Sequence, residues 1–234
     1  KKYKKMKYKI TLLLFILSLS VASAQYVAFF KFKTNQPAAI VSTMSDMIET
    51  DWGKNLPAKV NLFGLYFGGT DKATHAITFD FMNENDLQKF MSSWASSKIA
   101  QMYSEKFDNI SEPISQYIAT PVTYDGDWTP DRVFMMWNMD VSNPAAYVKA
   151  FSAFSKKIKK KYTEVGSNGI GQPIVGQTDE YSHFVWAGFP DIATALGTTK
   201  KMYSDPMFGE YAQKVAGIRK LKGTYLMARL ATFN

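Results

Sequence analysis

The chain has 234 residues, of which 46% are hydrophobic and 15% aromatic, with a formal net charge of +8 and no cysteine. Lack of cysteine excludes disulfide scaffolding, thiol catalysis, thiolate metal sites and a thioether-linked lipid anchor. The positive charge argues for no nucleic-acid partner, because six lysines and no acid precede residue 25 and the rest of the chain carries only +2.

In chain order, residues 1–24 read as a secretory signal peptide. A lysine-rich start is followed by an apolar run from Ile10 to Leu17 and the small-residue site Ala22-Ser23-Ala24. The run falls short of the ~20 apolar residues that cross a bilayer, so cleavage after Ala24 and a periplasmic or secreted product are expected. Met6 offers a translation start within this leader. No later segment is long and apolar enough to span a membrane as a helix.

A strand is expected at YVAFFKFK (26–33), rich in β-branched and aromatic residues. Pro37 then suits a first helical turn, and Ile40, Met44, Met47 and Ile48 recur at helical spacing. The strand VNLFGLYF (60–67), a turn at Thr70-Asp71 and a strand opening at His75 come next. Leu87, Phe90, Met91 and Trp94 mark the core face of a second helix, continued by Ile99, Tyr103 and Phe107. PISQYIATPV (113–122) closes the unit. Residues 121–131, crowded with turn formers, read as a linker.

The second part repeats this order. It has RVFMMWNM (132–139), a Pro144 helix bearing Tyr147, Phe151 and Phe154, and a solvated lysine-rich helix end, KKIKKK (156–161). GSNGIG (166–171) follows a helix rather than a strand, the wrong context for a dinucleotide site, and is expected to form a flexible loop. QPIVGQ (172–177), a Thr178-Asp179 turn, a strand from His183, a helix with Met207, Tyr211 and Val215, and the strand KGTYLMARLATF (222–233) complete it.

Shifting the chain by 108 residues aligns Thr70–Ile110 with Thr178–Ile218 without a gap, with eight of 41 positions identical, among them His75/His183, Phe81/Phe189 and Tyr103/Tyr211. Upstream the offset becomes 107, and NQPAAIV (35–41) meets SNPAAYV (142–148). The order is therefore βαββαβ twice, in residues 25–120 and 132–234, a pattern explained by tandem duplication. The expected fold class is α+β, with two ferredoxin-like units whose antiparallel sheets carry helices on one face and cover each other on the other. Phe184 and Trp186, opposed on their strand by Val185 and Phe189, fit a sheet buried on both faces.

This pattern resembles the dimeric α/β-barrel superfamily in a single-chain, tandem form. Small monooxygenases of antibiotic biosynthesis and stress-responsive barrel proteins belong to it. YSDPMFGEYAQKV (203–215) is similar to the small-residue-Pro start of the second helix in the monooxygenase-like members, whereas the first unit has Lys98 where the proline stands. Some members bind haem through a histidine, so the resemblance admits haem or a metal, while the residues themselves assign no cofactor.

The candidates for chemistry begin with the two histidines of the chain, His75 and His183. Each opens a strand after a Thr-Asp turn. His75 shares a strand face with Ile77, Phe79 and Phe81, and a ring there can bond the turn while its edge closes the core. The chemical alternative is a general base or metal ligand with Asp71 or Asp179 fixing the tautomer. One histidine per unit is too few for a zinc or iron site unless the two converge; no metal site is assigned, and the structural role is favoured. Tyr103, Tyr211, Trp137, Asn138 and Trp186 could line a cavity between the two sheets for an apolar or aromatic molecule, though core packing explains each as well. There is no P-loop, nucleophile elbow or His-Glu-x-x-His. The sequence thus favours an exported small-ligand-binding or structural protein, with a monooxygenase-like or haem-dependent oxidoreductase as the alternative.

Overall fold

A computed structural model of the protein describes residues 25–176 and 181–233. The signal-peptide segment and the Thr178-Asp179 turn lie outside these residues. The elements are β1 (Tyr26–Lys33), α1 (Pro37–Glu49), α2 (Asp51–Lys54), β2 (Lys59–Tyr66), β3 (His75–Phe81), α3 (Glu84–Ser96), α4 (Lys98–Asp108) and β4 (Glu112–Asp125). The second part has β5 (Val133–Val141), α5 (Pro144–Lys161), β6 (Asn168–Val175), β7 (His183–Phe189), α6 (Ile192–Tyr203), α7 (Pro206–Val215) and β8 (Arg219–Phe233).

The strands form one closed antiparallel barrel in the order β1-β3-β2-β8-β5-β7-β6-β4. Two units covering each other in a barrel-like sandwich were expected, and a barrel is observed. It is closed rather than two separate facing sheets, because β4 and β8 are long enough to serve both halves. The first part of β8 pairs with β5 and its end runs along β2, from Tyr66↔Leu226 to Val60↔Phe233. Similarly, β4 pairs first with β1 and then with β6, down to Asp125↔Asn168. The strand therefore continues into the segment 121–131 expected as a linker. Closure gives each of the eight strands a neighbour on both sides.

The pleat gives each strand two faces. Phe29, Phe63, Phe134, Met136, Phe184, Trp186, Tyr225 and Met227 point into the barrel and pack together. The opposite faces lie beneath the helices. In the first half, Phe32, Val60, Leu62, Ile77, Phe79 and Phe81 meet Ile40, Met44, Met47 and Phe90. In the second, Trp137, Met139, Ile170 and Val185 meet Tyr147, Phe151, Tyr211 and Val215.

Two local expectations change. GSNGIG is no flexible loop, because Asn168 already opens β6. Its glycines are needed for packing, not mobility: a Cβ on Gly169 would lie 2.4 Å from the Trp186 ring and one on Gly171 2.2 Å from the Phe184 ring. Met91 is 53% exposed rather than part of the core stripe, because the packed face of α3 is centred on Phe90. The second helix of each half is also broken in two. Ser97 accepts from the Ala100 amide and Asp205 from the Met207 amide, so each break doubles as an N-cap.

Candidate functional site

The largest described cavity, about 310 Å³, lies between the outer face of the second-half sheet and helices α5, α6 and α7. That volume is at the lower end of small-molecule sites, roughly 300–1,000 Å³. It is thus outside the barrel, not between the two sheets as expected. Its floor includes Trp137 and Met139 of β5 with Val185 and Ala187 of β7, and its roof includes Phe151, Met202, Phe208 and Tyr211.

The roof helices are held in place by Asp205 at the start of α7. Asp205 is buried, pairs with Lys161 at the end of α5 and accepts from the Tyr162 hydroxyl at 2.8 Å. The Lys161 contact first, then the Met207 amide and Tyr162, hold its carboxyl down at about 2. The last lysine of the KKIKKK run thus fastens α5 to α7 instead of being only solvated.

Polar groups are few and specific. Trp137 donates from Nε1 to the Tyr203 hydroxyl at 2.7 Å, and Ser155 donates to Asn168 Oδ1 at 2.5 Å. The Arg219 guanidinium lies over the Tyr211 ring, 5.8 Å from its centroid, and among the described residues it bonds a thioether alone, Met139 Sδ, at 3.5 Å. Burial pushes the hydroxyls of Tyr147 and Tyr211 up, so both remain protonated phenols at neutral pH. No Asp or Glu is among the lining residues.

A smaller cavity of about 80 Å³ opens at one end of the barrel, lined by Asn61, Thr78, Asp80, Trp128, Phe134 and Arg229 among others. Asn61 donates weakly to both Asp80 and Thr78 at 3.3 Å. Burial pushes the Asp80 carboxyl up to about 6, against the opposing effect of hydrogen bonds from Thr78 and Trp128 and the charge of Arg229. Arg229 donates to the carbonyls of Trp128 and Thr129 and stands over Phe63 and Phe134, 5.6 Å from each centroid.

Of the residues expected to form a site, Trp137 and Tyr211 are brought together in the larger cavity and Trp186 borders both cavities. Asn138 is on the opposite face of β5, its Oδ1 buried without a hydrogen bond. Tyr103 belongs to the packed layer of the first half, with Lys106 4.5 Å from its ring centroid.

The histidines do not converge. Both face the helical layers, and β3 and β7 are separated by three strands whichever way round the barrel is followed. The Nδ1 of His75 meets Thr74 Oγ1 at 2.9 Å, and that of His183 meets Ser182 Oγ at the same distance. Each hydroxyl also accepts from the end of the opening strand, from the Thr34 amide at 3.0 Å and the Val141 amide at 2.9 Å. Asp71 does not orient His75; it pairs with Lys31 inside the barrel and accepts from the Ala73 amide. Lys31 in turn stands 5.4 Å from the Tyr225 ring centroid. Burial lowers both histidine pKa values, so the rings are neutral at physiological pH.

Sequence reasoning missed Arg219, Asn168, Tyr203 and Asp80 as site residues and read Tyr147 only as helix core. One signal was available. The lysine-rich chain has three arginines, Arg132, Arg219 and Arg229, and two of them line cavities, where a fixed, weakly hydrated fork is more useful than an ammonium.

No family model and no curated protein matches the sequence. Solved structures match along nearly the whole chain. A candidate monooxygenase from Lactobacillus acidophilus has TM-score 0.58 and 11% identity, covering 91% of this chain and 96% of the other. An anthrone oxidase-like protein has TM-score 0.57 and 11% identity, covering 92% and 94%. A haem-binding protein from Thermus thermophilus has TM-score 0.53 and 10% identity, covering 89% and 92%. At these identities the likeness is one of fold: the chain shares with these proteins a mixed α+β architecture around a closed eight-stranded antiparallel barrel.

Proposed function

We propose that the protein binds a small, mainly aromatic molecule in the cavity under α5, α6 and α7. The observation that carries this reading is a space of about 310 Å³ lined almost wholly by aromatic and aliphatic side chains. A dry apolar space of that size forfeits dispersion contacts, which a ligand restores. Titration of the purified protein with 2-naphthalenemethanol, followed by tryptophan fluorescence, tests it. Saturable quenching that disappears in Thr198→Phe is expected, and absence of binding to the unaltered protein overturns the reading.

Haem is not part of this proposal. Neither histidine lines the cavity; its ligating candidates are the thioethers of Met139 and Met202 and the phenols of Tyr147, Tyr203 and Tyr211. Tyrosine ligation of haem iron uses the phenolate, which burial disfavours at Tyr147 and Tyr211. A Soret band in the purified protein would count against this reading.

Asp80 favours a second reading, proton-transfer chemistry of the kind a cofactor-free oxygenase needs. A carboxyl group held near pH 6 at a cavity wall can take a proton from an acidic substrate near neutrality. The monooxygenase and anthrone oxidase-like neighbours support it at the level of fold only. Oxygen uptake with a single-ring hydroquinone, above the protein-free rate and abolished in Asp80→Asn, is its test.

Export and duplication belong to the same proposal. Cleavage after Ala24 predicts a secreted product whose N-terminal residue, read by mass spectrometry, derives from Gln25. Descent of the two halves from one βαββαβ unit is supported by their matching element order and by the matched hydroxyl-histidine pairs, Thr74-His75 and Ser182-His183.

A further inference from the structure

The cavity is apolar in area but not neutral in its demands. Among the described residues, four that line it hold a buried polar atom that makes no hydrogen bond of ordinary geometry: Tyr147 Oη, Asn168 Nδ2, Thr199 Oγ1 and Arg219 Nε. Such atoms are uncommon, because a buried group that makes no hydrogen bond has given up water without replacing it. Here they share one chemistry. Asn168 Nδ2 and Arg219 Nε can only donate, the Asn168 orientation being set by Ser155, which donates to its Oδ1. Hydroxyls of Tyr147 and Thr199 can donate as well.

Two of the four donors belong to one group. Arg219, Tyr211 and Tyr147 form one group, with the guanidinium over the Tyr211 ring and its charge felt by both phenols. The two hydroxyls influence each other, yet that of Tyr147 makes no hydrogen bond of ordinary geometry. Asn168 and Thr199 stand on other elements, β6 and α6. Among the described residues no carboxylate pairs with Arg219, and none lines the cavity. An arginine against an aromatic wall, paired with no acid among the described residues, is arranged to receive an anion from outside.

Resting on the reading that this cavity holds an aromatic molecule, we propose that its ligand is an aromatic carboxylate bearing a second oxygen. The carboxylate meets Arg219 and Tyr147, the ring occupies the space between Trp137 and the aromatic roof, and the second oxygen accepts from Asn168 or Thr199. A volume of about 310 Å³ suits one or two fused rings.

The test uses four probes of similar size: 6-hydroxy-2-naphthoate, 2-naphthoate, the neutral 2-naphthalenemethanol and the cationic 2-naphthylmethylammonium. Each is titrated calorimetrically into the unaltered protein and into Arg219→Gln, Arg219→Lys and Tyr147→Phe. The unaltered protein is expected to prefer 2-naphthoate over the neutral probe by ~10- to 100-fold, the range of a charge-assisted hydrogen bond, and to bind the cation least. The hydroxylated acid should bind more tightly still. Arg219→Gln should erase the preference, weakening 2-naphthoate far more than the neutral probe, and its near-UV circular dichroism and thermal melt report that the cavity is folded. Arg219→Lys and Tyr147→Phe should each retain part of it. Equal binding of acid and alcohol overturns this inference and leaves the aromatic-site reading standing, whereas failure of every probe overturns both. A preference for the acid that survives Arg219→Gln places the anion elsewhere and overturns the assignment.

Discussion

The two helical layers are built on one plan and end up different, one filled and the other hollow. In the first half, Phe90 is wedged against Phe79 and Phe81, with ring centroids 4.8 and 5.3 Å away, and Trp94 completes the cluster at 5.4 Å. At the 108-residue offset, Phe79, Phe90 and Trp94 correspond to Ala187, Thr198 and Met202, and all three of these line the large cavity. The sheet register agrees. Val60 pairs with Phe79 as Asn168 pairs with Ala187, so a polar wall residue stands where the first half has a core valine. Tyr147 likewise stands where the first half has Ile40. The difference teaches that a hollow needs no new backbone; three shorter side chains and polar tips on a few others suffice.

The barrel mouth offers a second contrast. Asp80 corresponds to Gly188, and a Cβ there would lie 1.9 Å from Asp131. Asp131 thus occupies the place that Asp80 fills in the first half. It accepts from both the amide and the hydroxyl of Ser167, at 3.0 and 2.6 Å, whereas the contact from Asn61 to Asp80 is longer, at 3.3 Å.

These contrasts can be broken experimentally, the strongest effect coming from the filled layer. Phe90→Ala, at a 2%-exposed site, should cost ~3–5 kcal/mol in denaturant unfolding, against ~1–2 kcal/mol for Thr198→Ala, which loses the hydroxyl's bond to Glu164 beside space that already exists. A cost for Phe90→Ala no larger than that of Thr198→Ala would remove the basis of the comparison.

Next is the pH dependence of Asp80. Its folded pKa, about 6, is above the unfolded value of 3.8, so between these limits the native state binds the extra proton and stability falls as pH rises. The loss should reach up to ~3 kcal/mol by pH 6 and then level off. Asp80→Asn should flatten this part of the profile, as followed by urea melts at stepped pH. A native protein equally stable at pH 4 and 6 after allowance for the histidines would contradict it.

Transplanting first-half residues is the direct way to sharpen the contrast. Ala187→Phe with Thr198→Phe should fill the second layer and weaken 2-naphthalenemethanol binding by more than ~100-fold, about 2.7 kcal/mol. Retained thermal stability would show that the space was closed rather than the fold lost.

The smallest effects belong to the histidines. Burial lowers their pKa values, so the unfolded chain binds the extra proton first and stability should drop as pH falls below ~6.5, opposite in sign to Asp80. His183, at 2% exposure with Nε2 unpartnered, should show more of this than half-buried His75. Comparing His183→Gln and His75→Gln by thermal melts at pH 5 and 7 checks the order.

How much of this was legible follows from which interactions are local. Strand and helix types come from alternation and 3.6-residue spacing, which neighbouring residues carry, so the element order, the strands opened by His75 and His183, and the opposed faces of Phe184 and Val185 could be read directly. Of the weakly apolar, glycine-bearing β6 only the end was read, at 172–177; its start at Asn168 was not, because its pairing with β4 and β7 and the rings that need Gly169 and Gly171 come from distant parts of the chain. Met91 failed for a related reason: helical spacing gives a stripe, but its width is set by what packs against it.

The amino-acid sequence by itself determined most of the secondary structure, the paired faces of the clearest strands and the recurrence of one element order in two halves, since these are patterns of residue type along the chain. Only the tertiary structure decided that β4 and β8 are the strands that close the barrel, that the histidines stand on opposite walls, and that Asp71 serves Lys31. It also decided where the hollow is. A cavity is a deficit of volume among residues far apart in sequence. The exchange of Phe79, Phe90 and Trp94 for Ala187, Thr198 and Met202 acquires meaning only once those positions face one another across a layer, with Arg219 and Tyr147 at its wall.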